Sequence, residues 1–241
     1  MSDNYSPELN EIKVFLSPTK ALQRMNGVYE MVGKKVGLTS STFQAQRESW
    51  ASAVFLLGYS QITKREYWLR ENPNKNEAPD IFAVTFLPPQ APRRKGVSQE
   101  VMEIEVCEYE EHVKTDIPTH LRTKLNQKAY NSSTFLLCYV HKKSKTRLID
   151  VIDGLKGIKT SVREIWLLFH LHEGQKGNFC IVRVYLRDAD FTKTNLQYQG
   201  NYIDLMEIVQ KEMIHVSKGL TKDVEFNNLG YAYVPLPRIK K

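Results

Sequence analysis

The chain of 241 residues is 41% hydrophobic and 10% aromatic, and its formal net charge at pH 7 is +7. This length and apolar content are sufficient for one α/β domain with a sizeable core, so we take residues 1–241 as a single domain. No apolar run reaches the ~18 residues that a membrane helix needs, and residues 1–5 lack the basic and apolar start of a secretory signal. We therefore expect a cytoplasmic protein with no membrane partner.

The first predicted element that bears on function is a helix over residues 41–58. Ser41 to Gln44 has the spacing of a capping box, and the helix is apolar on nearly every side from Trp50 onwards. Glu48 lies almost in line with Phe55 along this helix. A carboxylate on the inward-facing line of a buried helix is unusual and is a candidate functional group.

Two strands are predicted next, over residues 80–86 and 101–109. Asp80 opens the first of them, directly after a proline. Side chains alternate between the faces of a strand, so Glu103 and Glu105 in the second strand share one face. If the strands are neighbours, these carboxylates converge with Asp80, and a cluster of that kind needs a positive charge. Mg²⁺, which prefers oxygen ligands, is the natural candidate.

The next pattern predicts a β-α-β unit. A helix beginning near Asp116 or Pro118 shows apolar residues every four positions, and residues 135–140 form an apolar run typical of a strand buried on both faces. Two strands joined by a helix should be parallel, with a right-handed connection.

The last part of the chain predicts a hairpin and a helical extension. Residues 165–171 and 180–186 flank a turn-rich segment and indicate a β-hairpin, with a helix starting at Ser161 as the alternative. Residues 202–216 predict an amphipathic helix, and residues 231–241 predict a basic tail interrupted by prolines.

The cysteines Cys107, Cys138 and Cys180 are widely spaced and lie in apolar runs. Such spacing favours reduced, buried thiols over a disulfide framework or a zinc site.

This order of elements resembles the core of the PD-(D/E)XK nuclease superfamily: a helix with an inward Glu, a Pro-Asp strand, an acid-x-acid strand, a helix and an apolar strand. The resemblance covers residues 41–141 and extends through the hairpin to about 187. It implies an α/β, restriction-endonuclease-like core with a mixed central sheet flanked by helices. Residues 188–241 then form a C-terminal helix and a basic tail.

The resemblance also implies a metal site. In the family, an Asp at the strand start and an acid on the next strand bind a divalent ion, and these positions correspond to Asp80 and Glu103, with Mg²⁺ or Mn²⁺ as the cofactor. The third motif residue is usually Lys, and here it is Glu105, which would act as a further ligand or as general base. Glu48 matches an acid that many members carry on the upstream helix, and it would contribute to metal binding.

Two alternatives concern the missing lysine. In some members the lysine function moves to the following helix, where Lys124 or Lys128 is available. A second register takes Glu105 as the metal ligand and places Cys107 at the lysine position, which indicates lost activity. The alternative to a metal site is a purely structural role for these acids. Asp80 then only begins a strand, and Glu103 and Glu105 form the solvent-exposed face of the next strand.

The basic excess of the chain points to a polyanionic partner. We expect nucleic acid to contact two basic clusters, which comprise Arg93, Arg94, Lys95, Lys142 and Lys143. The leading hypothesis is a metal-dependent nuclease that hydrolyses phosphodiester bonds in DNA, and several enzymes of the resembled family cut as homodimers. The alternative is a non-catalytic nucleic-acid-binding or scaffold protein on the same fold.

Overall fold

A computed structural model describes residues 13–74, 77–87, 98–141, 147–170, 178–187, 200–204, 225–227 and 231–234 of the chain. The described helices are α1 (Pro18–Val32), α2 (Lys34–Thr39), α3 (Gln44–Thr63), α4 (Ile117–Gln127) and α5 (Leu148–Leu155). The described strands are β1 (Lys13–Leu16), β2 (Trp68–Glu71), β3 (Ile81–Leu87), β4 (Ser98–Tyr109), β5 (Thr134–Val140), β6 (Glu164–His170), β7 (Asn178–Leu186), β8 (Gly200–Asp204), β9 (Glu225–Asn227) and β10 (Tyr231–Val234). None of these helices is long and apolar enough to cross a membrane.

The described strands join into one mixed sheet with the order β8-β7-β6-β5-β4-β3-β2-β1-β10-β9. The central strands β4, β5 and β6 are parallel, and the other neighbouring pairs are antiparallel. Helices α4 and α5 connect the parallel strands, as a parallel pair requires. The architecture is thus α/β with a mixed sheet, as the sequence predicts, and the predicted β-α-β unit is confirmed as parallel.

Helices cover both faces of the sheet. One core contains buried residues of α1, α3 and the strands, with Phe55 and Trp166 among its largest side chains. The other core lies under α4 and α5 and includes Leu121 and Ile152. Strand β5 is buried along almost its whole length because it lies in the middle of the sheet with a helical layer on each side.

Helix α3 positions one side of the candidate site. It is buried on most sides from Ala51 to Gly58, and a Cβ at Gly58 would lie 2.6 Å from the Cδ1 atom of Ile203 in β8. Glycine therefore allows the close approach of α3 to the sheet. The helix begins after a short 3₁₀ turn, Ser41–Phe43, in which the Ser40 hydroxyl accepts a hydrogen bond from the backbone N of Thr42.

Several sequence predictions are confirmed and two need correction. The strands at 80–86, 101–109 and 135–140, the helix near Asp116 and the hairpin of β6 with β7 are present. Residues 202–204, predicted to begin a helix, instead pair with β7 as part of β8, and residues 205–216 lie outside the described residues. Residues 231–234, predicted as part of a tail, form β10 and pair with β1. The sequence does not predict elements β1, α1, α2, β2, α5 and β9.

Candidate active site

The candidate site lies where β3 and β4 separate. Ile81 faces Ile104 at the start of β3, whereas β4 continues beyond this point with β5 as its neighbour. Asp80, immediately before β3, lies at the level of Glu105, and its Oδ2 atom accepts a hydrogen bond from the backbone N of Val106 at 2.8 Å. The carboxylate thus satisfies a backbone donor that would otherwise lack its strand partner.

Glu105 is the central buried acid of this site. Its exposed fraction is 5%, and its Oε1 atom accepts a hydrogen bond from Nζ of Lys128 at 2.5 Å. The Oε2 atom is buried, and no hydrogen-bond partner for it occurs among the described residues. Lys128 directly follows the last residue of α4, so the end of this helix supplies the only cation bonded to Glu105 in the described part of the chain.

Glu48 brings a third carboxylate to the site from α3. Burial, followed by the negative charge of Asp80, raises the pKa of Glu48 to about 7. A hydrogen bond of 2.7 Å from the Gln44 side chain opposes this rise, and the charge of Glu105 adds to it. Glu48, Asp80 and Glu105 therefore interact electrostatically.

The pKa values of the other two acids also rise. Burial raises the pKa of Asp80, against the hydrogen bond from Val106 and the charges of Lys128 and Lys124. Burial and then the charge of Asp80 raise the pKa of Glu105, against Lys128 and Lys124. Both lysines thus act on the carboxylates, but the bonded one is Lys128, whereas Lys124 acts through its charge.

Lys128 remains an ammonium ion in this environment. Burial alone would lower the pKa of Lys128, but its hydrogen bond to Glu105 and the charges of Glu105, Asp80 and Glu48 raise it. A lysine with a raised pKa acts as a fixed positive charge and not as a proton acceptor.

Glu103 lies on the same face of β4 but has different partners. Its carboxylate accepts hydrogen bonds from Nδ2 of Asn131 at 3.2 Å and from Oγ1 of Thr134 at 3.0 Å. It therefore contacts the start of β5, and it is not among the charges that shift the pKa values of Asp80, Glu105 or Glu48. The geometry accordingly makes Glu105, and not Glu103, the partner of Asp80.

The basic residues expected to contact nucleic acid cannot be placed against this site. Arg93, Arg94, Lys95, Lys142 and Lys143 all lie outside the described residues. A pocket of about 370 Å³ beside Arg65, Glu100 and Arg163 is lined by none of the clustered acids.

Only one set of three or more potential metal ligands comes this close together in the described part of the chain, and it contains no acid. The ligand atoms of Cys107, His120 and Cys138 all lie within 4.8 Å of one another. The sequence reasoning missed this group because its members come from β4, α4 and β5, and their spacing matches no short metal-binding motif.

Comparisons of the chain with models of protein families, with curated proteins and with solved structures found no match.

Proposed function

We propose that this protein is a metal-dependent nuclease that hydrolyses phosphodiester bonds in DNA on a restriction-endonuclease-like core. The observation that carries the proposal is the buried Oε2 atom of Glu105. It has no partner among the described residues, and it belongs to a carboxylate that lies beside Asp80. Only one oxygen of this buried carboxylate is paired with a cation, so a further cation would stabilise the other oxygen.

The donor set fits Mg²⁺ or Mn²⁺ better than a soft metal. Asp80 and Glu105 offer carboxylate oxygens from adjacent chain segments, and Glu48 adds a third acid, whose pKa is raised by burial and then by the charges of the other two. Hard divalent ions are held by one or two carboxylates together with water and substrate phosphate. In this proposal Asp80 and Glu105 are the metal ligands, and Glu103 supports the start of β5.

The side chains around these ligands have complementary roles. When bound, the metal lowers the pKa of a coordinated water and neutralises charge on the scissile phosphate. Glu48 is the candidate general base for the attacking water, since it is the third carboxylate beside Asp80 and Glu105. The Lys128 ammonium stabilises negative charge that develops on the phosphate oxygens, and the positive charge of Lys124 adds to this effect.

A second candidate function is non-catalytic binding of nucleic acid. The observation in its favour is the ion pair between Lys128 and Glu105, which supplies part of the missing positive charge without any metal. Cys107 at the usual lysine position is also what an inactive relative of a nuclease would show.

Cleavage of supercoiled and linear DNA tests these alternatives. We expect the protein to cut DNA with Mg²⁺ or Mn²⁺ and to stop with EDTA. Asp80→Asn and Glu105→Gln should lower the rate by ~100-fold or more, because each removes a charge from the ligand set. Asp80→Asn keeps a side-chain oxygen for the Val106 N–H, so its fold should survive better than that of Asp80→Ala.

The matched control is Glu100→Gln, which removes an exposed carboxylate from the same strand, where it pairs with Arg65. It should cut DNA at the wild-type rate. A folded wild-type protein that binds DNA but leaves every substrate intact with both metals would support the non-catalytic function. A fully active Asp80→Asn variant would contradict the proposed metal site.

A further inference from the structure

A second group of chemically reactive side chains lies next to the acids, on the same face of β4. Cys107 and Cys138 are opposite each other in the parallel pair of β4 with β5, and both are buried, with exposed fractions of 5% and 0%. His120 reaches them from α4, and the three ligand atoms lie within 4.8 Å of one another. The sheet and the helix thus bring two thiols and an imidazole to one point.

The imidazole of His120 is held in place but incompletely satisfied. Its ring packs edge-on against Tyr109 with a centroid separation of 5.4 Å, and the Tyr109 hydroxyl donates a hydrogen bond to the backbone O of Thr115 at 2.7 Å. The Nε2 atom of His120 is buried, and it has no hydrogen-bond partner among the described residues. An unsatisfied ring nitrogen beside two thiols is the ligand set of a soft metal ion.

We propose that Cys107, Cys138 and His120 bind one thiophilic metal ion, with Zn²⁺ as the preferred ion. Zn²⁺ binds sulfur at about 2.3 Å and nitrogen at about 2.0–2.1 Å, so tetrahedral ligand atoms lie roughly 3.5–4 Å apart. The observed limit of 4.8 Å therefore requires only small side-chain shifts. This site differs from the sequence expectation of plain buried thiols.

Charge and surroundings also suit this ion. Two thiolates and a neutral imidazole balance the two positive charges of Zn²⁺, so the complex is neutral in a core that contains apolar side chains such as Leu121 and Leu136. Zinc sites with two cysteines and one histidine leave a fourth coordination position to a non-protein ligand.

The metal would fix α4 to the central strands. His120 is one helical turn before Lys124 in α4, and Lys128 directly follows the end of this helix, while Cys107 follows Glu105 by two residues on β4. An ion that joins β4, β5 and α4 would hold the lysine side of the acidic site in register with Glu105. The inference does not depend on nuclease activity, since the ligands are different residues with different metal preference.

Titration of the reduced, metal-free protein with Co²⁺ tests the site, because thiolate ligands give Co²⁺ a charge-transfer band in the near ultraviolet. We expect one Co²⁺ per chain with this band and with the strong visible absorption of tetrahedral coordination, and Zn²⁺ should displace it. Cys107→Ser, Cys138→Ser and His120→Ala should each weaken binding by more than the ~10–100-fold that loss of an outer hydrogen-bond partner costs.

Two controls separate this site from its neighbours. Cys180→Ser removes the third cysteine, which is half-buried in β7 and outside the group, and it should bind Co²⁺ like wild type. Asp80→Asn should also keep the charge-transfer band, whether or not the wild-type protein cleaves DNA. Thiol labelling of wild type should show that Zn²⁺ protects Cys107 and Cys138 but not Cys180, and this readout needs no substitution at the site.

Three outcomes would overturn the proposal. The first is the absence of a charge-transfer band in folded, reduced wild type at excess Co²⁺. The second is equal Co²⁺ binding by wild type and a folded Cys138→Ser variant. The third is a Co²⁺ charge-transfer band that excess Zn²⁺ leaves unchanged.

Discussion

At the scale of single residues, the ion pair of Glu105 and Lys128 determines how the buried acid is tolerated. The side chain of Glu105 is 6% exposed and that of Lys128 is 38% exposed, so the pair lies at the edge of the core. Breaking such a pair by removing one partner is costly, because it leaves a charge without compensation. The cost of breaking the pair arises at Glu105, which is buried, and not at Lys128, which is partly hydrated.

Lys128→Met should lower the free energy of unfolding by about 1–3 kcal/mol at pH 8, a range reduced from that of fully buried pairs because the lysine is partly in water. The loss should shrink at pH 5, where the buried Glu105 can take up a proton. Urea unfolding at the two pH values measures it. In the double variant Glu105→Gln/Lys128→Met, the loss at pH 8 should be smaller than in Lys128→Met, and an equal loss in both variants at pH 8 would contradict the ion-pair explanation.

The titration of Glu48 makes the free energy of unfolding depend on pH, and the sign of this dependence follows from its pKa shift. Its pKa in the folded protein is raised from 4.5 to about 7, so between these values the unfolded chain has released its proton while the folded chain still holds it. The free energy of unfolding therefore falls as the pH rises through this range. Asp80 and Glu105 contribute a slope of the same sign, since their pKa values are raised as well.

Glu48→Gln should reduce this slope without removing it, in metal-free protein, because the amide cannot titrate. Urea unfolding at several pH values between 4.5 and 7 measures the change. Gln44→Ala is a useful comparison, since it removes the hydrogen bond that favours the charged form of Glu48 and should steepen the slope. A variant slope equal to that of wild type would mean that Glu48 titrates normally.

Most acids of the candidate site could be predicted from the sequence, but not which acid lies beside Asp80 or which lysine pairs with it. Glu48, Asp80 and Glu105 were each identifiable from position alone. Alternation along β4 could not separate Glu105 from Glu103, since both point to the same face. The choice depends on the register of β3 against β4, and the choice between Lys124 and Lys128 depends on where α4 lies along the sheet. Both are set by tertiary packing.

At the scale of elements, the contact of α4 with α5 positions the helix that carries the lysines. Arg122 in α4 donates hydrogen bonds to the backbone O of Gly154 at 2.9 and 2.6 Å. A Cβ at Gly154 would lie 2.6 Å from the Cβ atom of Pro118, whose ring cannot turn away. The absence of a side chain at Gly154 is therefore a requirement of helix packing.

Gly154→Ala should lower the free energy of unfolding by about 1–3 kcal/mol, the range for overpacked sites. The matched control is Gly27→Ala in α1, where nothing lies within 4 Å of the added Cβ. This control should raise stability by about 0.5–1 kcal/mol, since alanine favours helix more than glycine does. Thermal or urea unfolding measures both. Stabilisation by both substitutions would show that α4 moves aside without cost.

Local patterns predict those elements whose own sequence shows which of their residues are buried. Strand β5 is a continuous apolar run, and α4 has an apolar stripe and an Asp116 cap that accepts a hydrogen bond from the Thr119 backbone N. Strands β1 and β2 contain 4 residues each, too few for a clear period. Residues 202–204 show a helical pattern but form a strand, because pairing with β7 outweighs local preference.

At the scale of the whole molecule, the sheet joins the two ends of the chain. Strand β1 pairs with β10 at four positions, from Lys13 opposite Val234 to Leu16 opposite Tyr231, but with β2 at Leu16 alone. The interior strands β4, β5 and β6 instead have neighbours along most of their length. Local stability depends on how much of a strand is paired, so we expect β1 to open more readily than β4, β5 and β6.

Removal of residues 225–241 tests this dependence, because it deletes β9 and β10 and leaves β1 with its short pairing to β2. Backbone amides of β1 that lose a partner in β10 should exchange with solvent at least about tenfold faster in the truncated chain. Amides of β5 should exchange as in the full chain and serve as the internal control. Hydrogen exchange read by mass spectrometry or NMR distinguishes the two strands. Unchanged exchange in β1 would show that packing of the buried Phe15 against Phe86, with ring centroids 6.4 Å apart, holds the strand in place without β10.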